Sequence, residues 1–239
     1  MMVKFGEYIT LFSLEYFIYI GILVVCAWLL FSQRAWVRQH PEKVTRAILI
    51  VSIGQQILLY SSYLYLFDFS LGESLPFHLS RISSILGIIY LLTKNKQVFT
   101  VLCYLSPFAW LSFGYPSRVY GIFHPIGISF VVNHVITLLL PFFGMIAYQH
   151  RLEIKDRLRV FSYLIGYTVF CLILNPLVDG NYFYLKHRPI FSNLPLSIYV
   201  LGLLVFSFVL FLLAEVFYNK SYYKLQRPRT GVIKKEYRS

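Results

Sequence analysis

Charge is what this sequence is short of. Charged residues fill 13 % of its 239 positions and only 10 are Asp or Glu, whereas about 25 % is usual in soluble globular domains. With 58 % hydrophobic residues and a mean hydropathy of +0.64, the chain cannot clothe a globule in water, so lipid is its main solvent. Cysteine is scarce as well. Cys26, Cys103 and Cys171 are odd in number and all fall in apolar segments, which excludes a disulfide framework or a cysteine-rich metal site. Also missing are a Walker A loop, a dinucleotide fingerprint, a Gly-x-Ser-x-Gly elbow and a His-Glu-x-x-His pair, so no cofactor and no metal are expected. Against the 10 acids stand 22 Lys and Arg. A nucleic-acid footprint would gather them on one water-facing surface. Here they form short runs between apolar segments, which argues against nucleic acid and for a use in membrane topology.

Seven apolar stretches approach the roughly 20 residues that a helix needs to cross the hydrocarbon core. They cover about 11–32, 46–67, 76–93, 98–114, 125–148, 160–178 and 197–218. The fourth is the weakest, being short and containing Pro107. The first is not a secretory signal, because Arg34 and Arg38 follow it and little charge precedes it, the reverse of a signal's order. Counting loops alternately puts 17 of the 22 Lys and Arg on one side and four on the other, with Arg81 inside the third stretch. Lys and Arg stay in the cytoplasm, so the expected fold is an all-α polytopic transmembrane bundle of about seven helices, N-terminus out and C-terminus in. The expected organisation is a single transmembrane domain, residues 1–219, and a basic cytoplasmic tail, residues 220–239, suited to anionic lipid. The expected location is a cell membrane, the bacterial cytoplasmic membrane in particular, with membrane lipids as partners and the protein partners undefined.

The 20 tyrosines and 22 phenylalanines include many at segment ends, where amphipathic rings favour the headgroup zone. Pro76 and Pro125 stand where the third and fifth helices should begin, a position at which the missing N–H costs nothing.

Ionisable groups within spans are expensive and are functional candidates by default. Four groups of residues qualify. His78 and Arg81 open the third helix three residues apart, on one face. Asn133 and His134 lie about nine residues into the fifth. Asn175 closes the sixth, and the outer segment 179–189 follows, with Asn181, Tyr182 and Lys186. All fall in the outer half, and the inner half shows almost nothing comparable. A conduit would need polar groups at successive depths, so a polar pocket open to the outside is the expectation. In it His78 or His134 is the base, Arg81 binds a headgroup phosphate or an oxyanion, and Asn133, Asn175 and Asn181 orient them. Glu15 and Glu215 read as helix-end residues, and Asp68 and Glu73 as a solvated border.

Three stretches carry a family resemblance. They are Leu75-Pro76-Phe77-His78-Leu79-Ser80, the in-helix pair Asn133-His134, and Gly180-Asn181-Tyr182-Phe183-Tyr184-Leu185-Lys186 with Arg188-Pro189. Over residues 50–215 the chain resembles the YwaF-like family of bacterial integral membrane proteins, itself distantly similar to a eukaryotic transmembrane phospholipid acyltransferase that uses a cysteine and a histidine. Where bacterial relatives carry Cys after the Leu-Pro-x-His-Leu stretch, this chain has Ser80. The resemblance implies acyl transfer on membrane lipid. The alternative expectation, resting on the absence of a complete catalytic motif, is a non-enzymatic scaffold of an envelope complex or a small-molecule carrier.

Overall fold

The computed structural model describes residues 6–227. Its helices are α1 (Leu14–Ser32), α2 (Arg34–Gln39), α3 (Pro41–Tyr65), α4 (Leu71–Ser74), α5 (Leu79–Thr93), α6 (Lys96–Gly114), α7 (Pro125–Ala147), α8 (Asp156–Val178) and α9 (Leu196–Gln226), with a 3₁₀ turn at Tyr182–Tyr184. Every one of the seven apolar stretches is a helix. Their starts follow from local chemistry: the Ser13 side chain accepts from Tyr16 N–H, Asn95 accepts from Gln97 and Val98, and His124 accepts from Ile126 with Pro125 in the first turn.

Six of the helices are long and apolar enough to cross a membrane, and α5 is not among them. The weak crossing is therefore the third rather than the fourth. Helix α6 runs unbroken through Pro107. Pro76, by contrast, does not open a helix: Leu75 and His78 are extended, and α5 begins only at Leu79. At 15 residues, α5 is about 22 Å long, well short of the ~30 Å hydrocarbon core. Segment 66–78 leads into it at the end of the bundle poor in Lys and Arg.

Helix α7 is the axis of the bundle, with 67 % of its apolar window buried against 17 % for α1 and α9. It packs on α3, α5, α6 and α9. The interior between α3, α5 and α7 is polar. Gln55 Nε2 donates to Ser129 Oγ (2.7 Å), Gln56 Nε2 to Ser84 Oγ (2.6 Å) and Asn133 Nδ2 to the Ser80 carbonyl (3.2 Å). Composition alone missed the glutamines. In lipid the apolar faces gain nothing by turning inward, so small and hydrogen-bonding residues take the helix contacts.

The inner half is also less bare than its sequence suggests. Glu215 accepts from Arg157 Nη1 (3.1 Å) and from Tyr104 OH (3.2 Å), joining α6, α8 and α9. Residues 220–226, assigned to a tail by their charge, continue α9. Its end is tied down by Gln226 Nε2 to the Met145 carbonyl and by Arg38 to the Leu225 carbonyl, both 3.0 Å. The remainder of the expected tail, residues 228–239, lies outside the described residues.

One close approach fixes the turn into α7. A Cβ on Gly127 would lie 2.0 Å from the Gly121 carbonyl oxygen, so the backbone there has no room for a methyl group. Gly127→Ala is expected to destabilise the protein by about 3 kcal/mol, read as a fall in the thermal unfolding midpoint in detergent.

Candidate functional site

The short α5 is entered from an irregular chain, residues 66–78, and buried backbone outside a regular helix survives only where protein satisfies its polar groups. Arg81 does so for segment 66–78. Its guanidinium donates to the Glu73 and Leu75 carbonyls, to Tyr63 OH and, at 3.1 Å, to Glu73 Oε1. It also lies over the Tyr63 ring, 4.9 Å from the centroid. The side chain is buried and its donor fork is engaged.

The same carboxylate faces His78. Nε2 of His78 lies 3.4 Å from Glu73 Oε2, an ion-pair distance longer than a well-formed hydrogen bond. The imidazole is 23 % exposed and rests against the Tyr182 ring at 4.7 Å. As the residue preceding α5 it makes no side-chain capping bond. Burial pushes the Glu73 carboxyl up, but the His78 imidazole and the Arg81 guanidinium together outweigh it and hold the group below its ordinary value. Glu73 is therefore a carboxylate at neutral pH.

Tyr182 closes the cluster from the other side. Its N–H donates to Asn175 Oδ1 (2.8 Å), its carbonyl accepts from Asn175 Nδ2 (3.0 Å) and its hydroxyl donates to the Leu71 carbonyl (2.6 Å). Asn175 thus clamps the loop after α8 back onto α8, and the Tyr182 hydroxyl ties that loop to the segment before α5. The loop needs the clamp, since Asp179, Phe183 and Tyr184 all hold positive φ, which costs of order 1 kcal/mol each in non-glycine residues. Asn181 accepts from the Lys186 and His187 N–H groups, both at 2.9 Å, and Lys186 pairs with Asp179. These are bonds within the loop. Asn175→Ala removes both clamp bonds and is expected to cost about 2 kcal/mol, with faster proteolysis inside 180–195 as the measurement.

The structure therefore brings together His78, Arg81, Asn175 and Tyr182, adds Glu73 and Tyr63, and keeps His134 apart. Nδ1 of His134 contacts the Phe130 carbonyl at 2.9 Å, and its ring packs on Phe130 and Phe113. None of these contacts involves His78 or Arg81. A carbonyl only accepts, so Nδ1 carries the proton and the buried Nε2, which has no partner, presents a lone pair. Asn133, its chain neighbour, turns instead to α5.

Glu73, expected as a solvated border residue, is 60 % exposed and also pairs with His78 and Arg81. Its signal was its isolation, since Asp68 and Glu73 are the only acids between Glu42 and Glu153. Two apolar cavities, of about 350 and 510 Å³, flank α1, and neither is lined by His78, Arg81 or His134. Neither is the polar outward chamber expected from sequence. Among the described residues no group of His, Cys, Asp and Glu has a metal-binding arrangement. The model of the TMEM164 family matches residues 11–218. No curated protein and no solved structure matches the chain.

Proposed function

Since the chain belongs to the TMEM164 family, a family of transmembrane proteins, and carries a carboxylate beside an imidazole at a helix start, we propose that it transfers acyl chains between membrane lipids, with His78 as the base. The YwaF-like resemblance, the outer leaflet as the working side and the bacterial cytoplasmic membrane as the location belong to the same reading. The contact between His78 and Glu73 carries it. Nε2 is close to the carboxylate without a formed hydrogen bond; once its N–H turns to Glu73, Nδ1 is left to take a proton. The N-terminus of α5, uncapped by any side chain, has first-turn N–H groups without intrahelical partners. They suit a developing oxyanion.

The step balances without a covalent enzyme intermediate. A hydroxyl of the acceptor lipid gives its proton to His78 as its oxygen attacks the ester carbonyl of the donor. The tetrahedral oxyanion then collapses, the old ester C–O bond breaks, and the lysolipid oxygen that leaves takes the proton back from His78. Direct transfer fits the thiols, because Cys103 and Cys171 are buried. Arg81, with its donors committed, positions Glu73 in this scheme and does not bind phosphate.

A second reading has one observation in its favour. The unpartnered Nε2 of His134, with its tautomer set by the Phe130 carbonyl, is a lone pair held in an aromatic layer. In that reading it is the base. The test for both is exchange of a labelled acyl chain from a diacyl phospholipid to a lysophospholipid by the purified protein in vesicles. An absence of exchange with every lipid pair tried refutes acyl transfer itself.

A further inference from the structure

Helix α1 touches the bundle lightly, and beside it the protein's own side chains leave an apolar groove of about 350 Å³ open. Cys26 and Leu30 of α1, Trp36 of α2, Val44 of α3, and Leu139 and Phe143 of α7 are among its walls. Close-packed interiors rarely leave such a gap, because each wall atom without a neighbour forfeits dispersion contacts. In a membrane the filler at hand is a hydrocarbon chain.

At its α2–α3 end the groove is lined by Gln33, Trp36, Val37 and Val44, and the cations Arg34, Arg38 and Lys43 are chain neighbours of these wall residues, with Arg46 two positions past Val44. The sole acid there, Glu42, is already taken by Lys94 Nζ at 3.2 Å. Arg34 and Arg38 donate to the backbone carbonyls of Arg227, Ile146 and Leu225 and to the Gln226 side-chain oxygen. These partners are neutral oxygens, so among the described residues neither guanidinium meets an acid, although each already spends donors on carbonyls. No ion pair or hydrogen bond engages Lys43 or Arg46 among the described residues. An apolar slot whose α2–α3 wall residues are flanked in the chain by four cations that meet no acid among the described residues suits an amphiphile with an anionic head.

We propose that this groove is a binding site for an anionic phospholipid of the Lys/Arg-rich leaflet, with an acyl chain between α1, α3 and α7 and the phosphate at the α2–α3 corner. The site is separate from the His78 cluster, which lies at the other end of the bundle, and stands whether or not the protein transfers acyl chains.

Cys26 supplies the reporter. It lines the groove and is partly exposed, while Cys103 and Cys171 are buried and serve as a check on folding by staying unreactive. The full chain in detergent is alkylated with N-ethylmaleimide in the presence of dioleoyl phosphatidylglycerol, dioleoyl phosphatidylcholine or glycerol 3-phosphate. At about ten times its dissociation constant phosphatidylglycerol should slow Cys26 alkylation by roughly tenfold, by mass action. Phosphatidylcholine at the same concentration should protect much less, and glycerol 3-phosphate, having no chain, should not protect. Lys43→Gln together with Arg46→Gln should erase the difference between the two lipids. Equal protection by both lipids would mean annular lipid only and would overturn the proposal. Protection by neither lipid, protection by glycerol 3-phosphate alone, or an undiminished lipid preference in the double variant would overturn it too.

Discussion

His78→Ala is expected to lower acyl exchange by about 10²- to 10⁴-fold, the usual contribution of a positioned general base, and to leave the protein folded. The folding part follows from the contacts. His78 caps no N–H and is partly exposed, and Glu73 keeps its hydrogen bond to Arg81 when the imidazole is gone. Glu73→Gln should cost far less, about tenfold, because the carboxylate orients and stabilises the imidazole without taking the proton itself. The Glu73 carboxyl is held below its ordinary value, so it remains ionised as the pH falls through the mildly acid range. His134→Phe, which suits the aromatic layer formed by Phe113 and Phe130, should keep most of the activity. If instead His134→Phe abolishes exchange while His78→Ala spares it, the base is His134.

Arg81→Met should destabilise the protein by about 2 to 3 kcal/mol, the cost of leaving hydrogen-bond acceptors of a charged donor unpaired. The substitution keeps the apolar stem and deletes every donor, leaving the Glu73 and Leu75 carbonyls and Tyr63 OH without their guanidinium partner. Arg81→Lys should recover only part of the loss, since a single ammonium cannot reproduce the planar fork. The measurement is thermal unfolding in detergent, with the Michaelis constant for lipid as the discriminating second reading. A headgroup-binding Arg81 would raise that constant and leave the unfolding midpoint where it was.

The expectation that Arg81 binds phosphate came from a rule about single residues, that a charge within a span is there for function. In the structure Arg81 donates to the Glu73 and Leu75 carbonyls, Tyr63 OH and the Glu73 carboxylate, partners that a phosphate would have to displace. Arg81 and His78 were visible as costly groups on one helical face, but Glu73 sits five residues before His78 in a stretch with no helical period. Spacing therefore could not say that its carboxylate would reach both. Asn175 was legible as an in-span polar residue; that it would hold the backbone of Tyr182 depended on a loop with three residues at positive φ, which no periodicity encodes. The glutamines of α3 escaped for a related reason. Lipid-facing and bundle-facing sides of a transmembrane helix carry no fixed apolar stripe, so Gln55 and Gln56 gave no sign of meeting Ser84 and Ser129.

By itself the sequence determined the solvent, the helical class and the seven helical stretches, because runs of apolar residues near bilayer length have one way to satisfy their backbone in lipid. Only the tertiary structure decided which costly groups meet. It drew Glu73, His78 and Arg81 together at the start of a helix too short to span, and set His134 apart among aromatic rings. The physical reason is that helix formation is satisfied within each segment, whereas the pairing of buried polar groups depends on which faces the packing of α3, α5 and α7 turns toward one another.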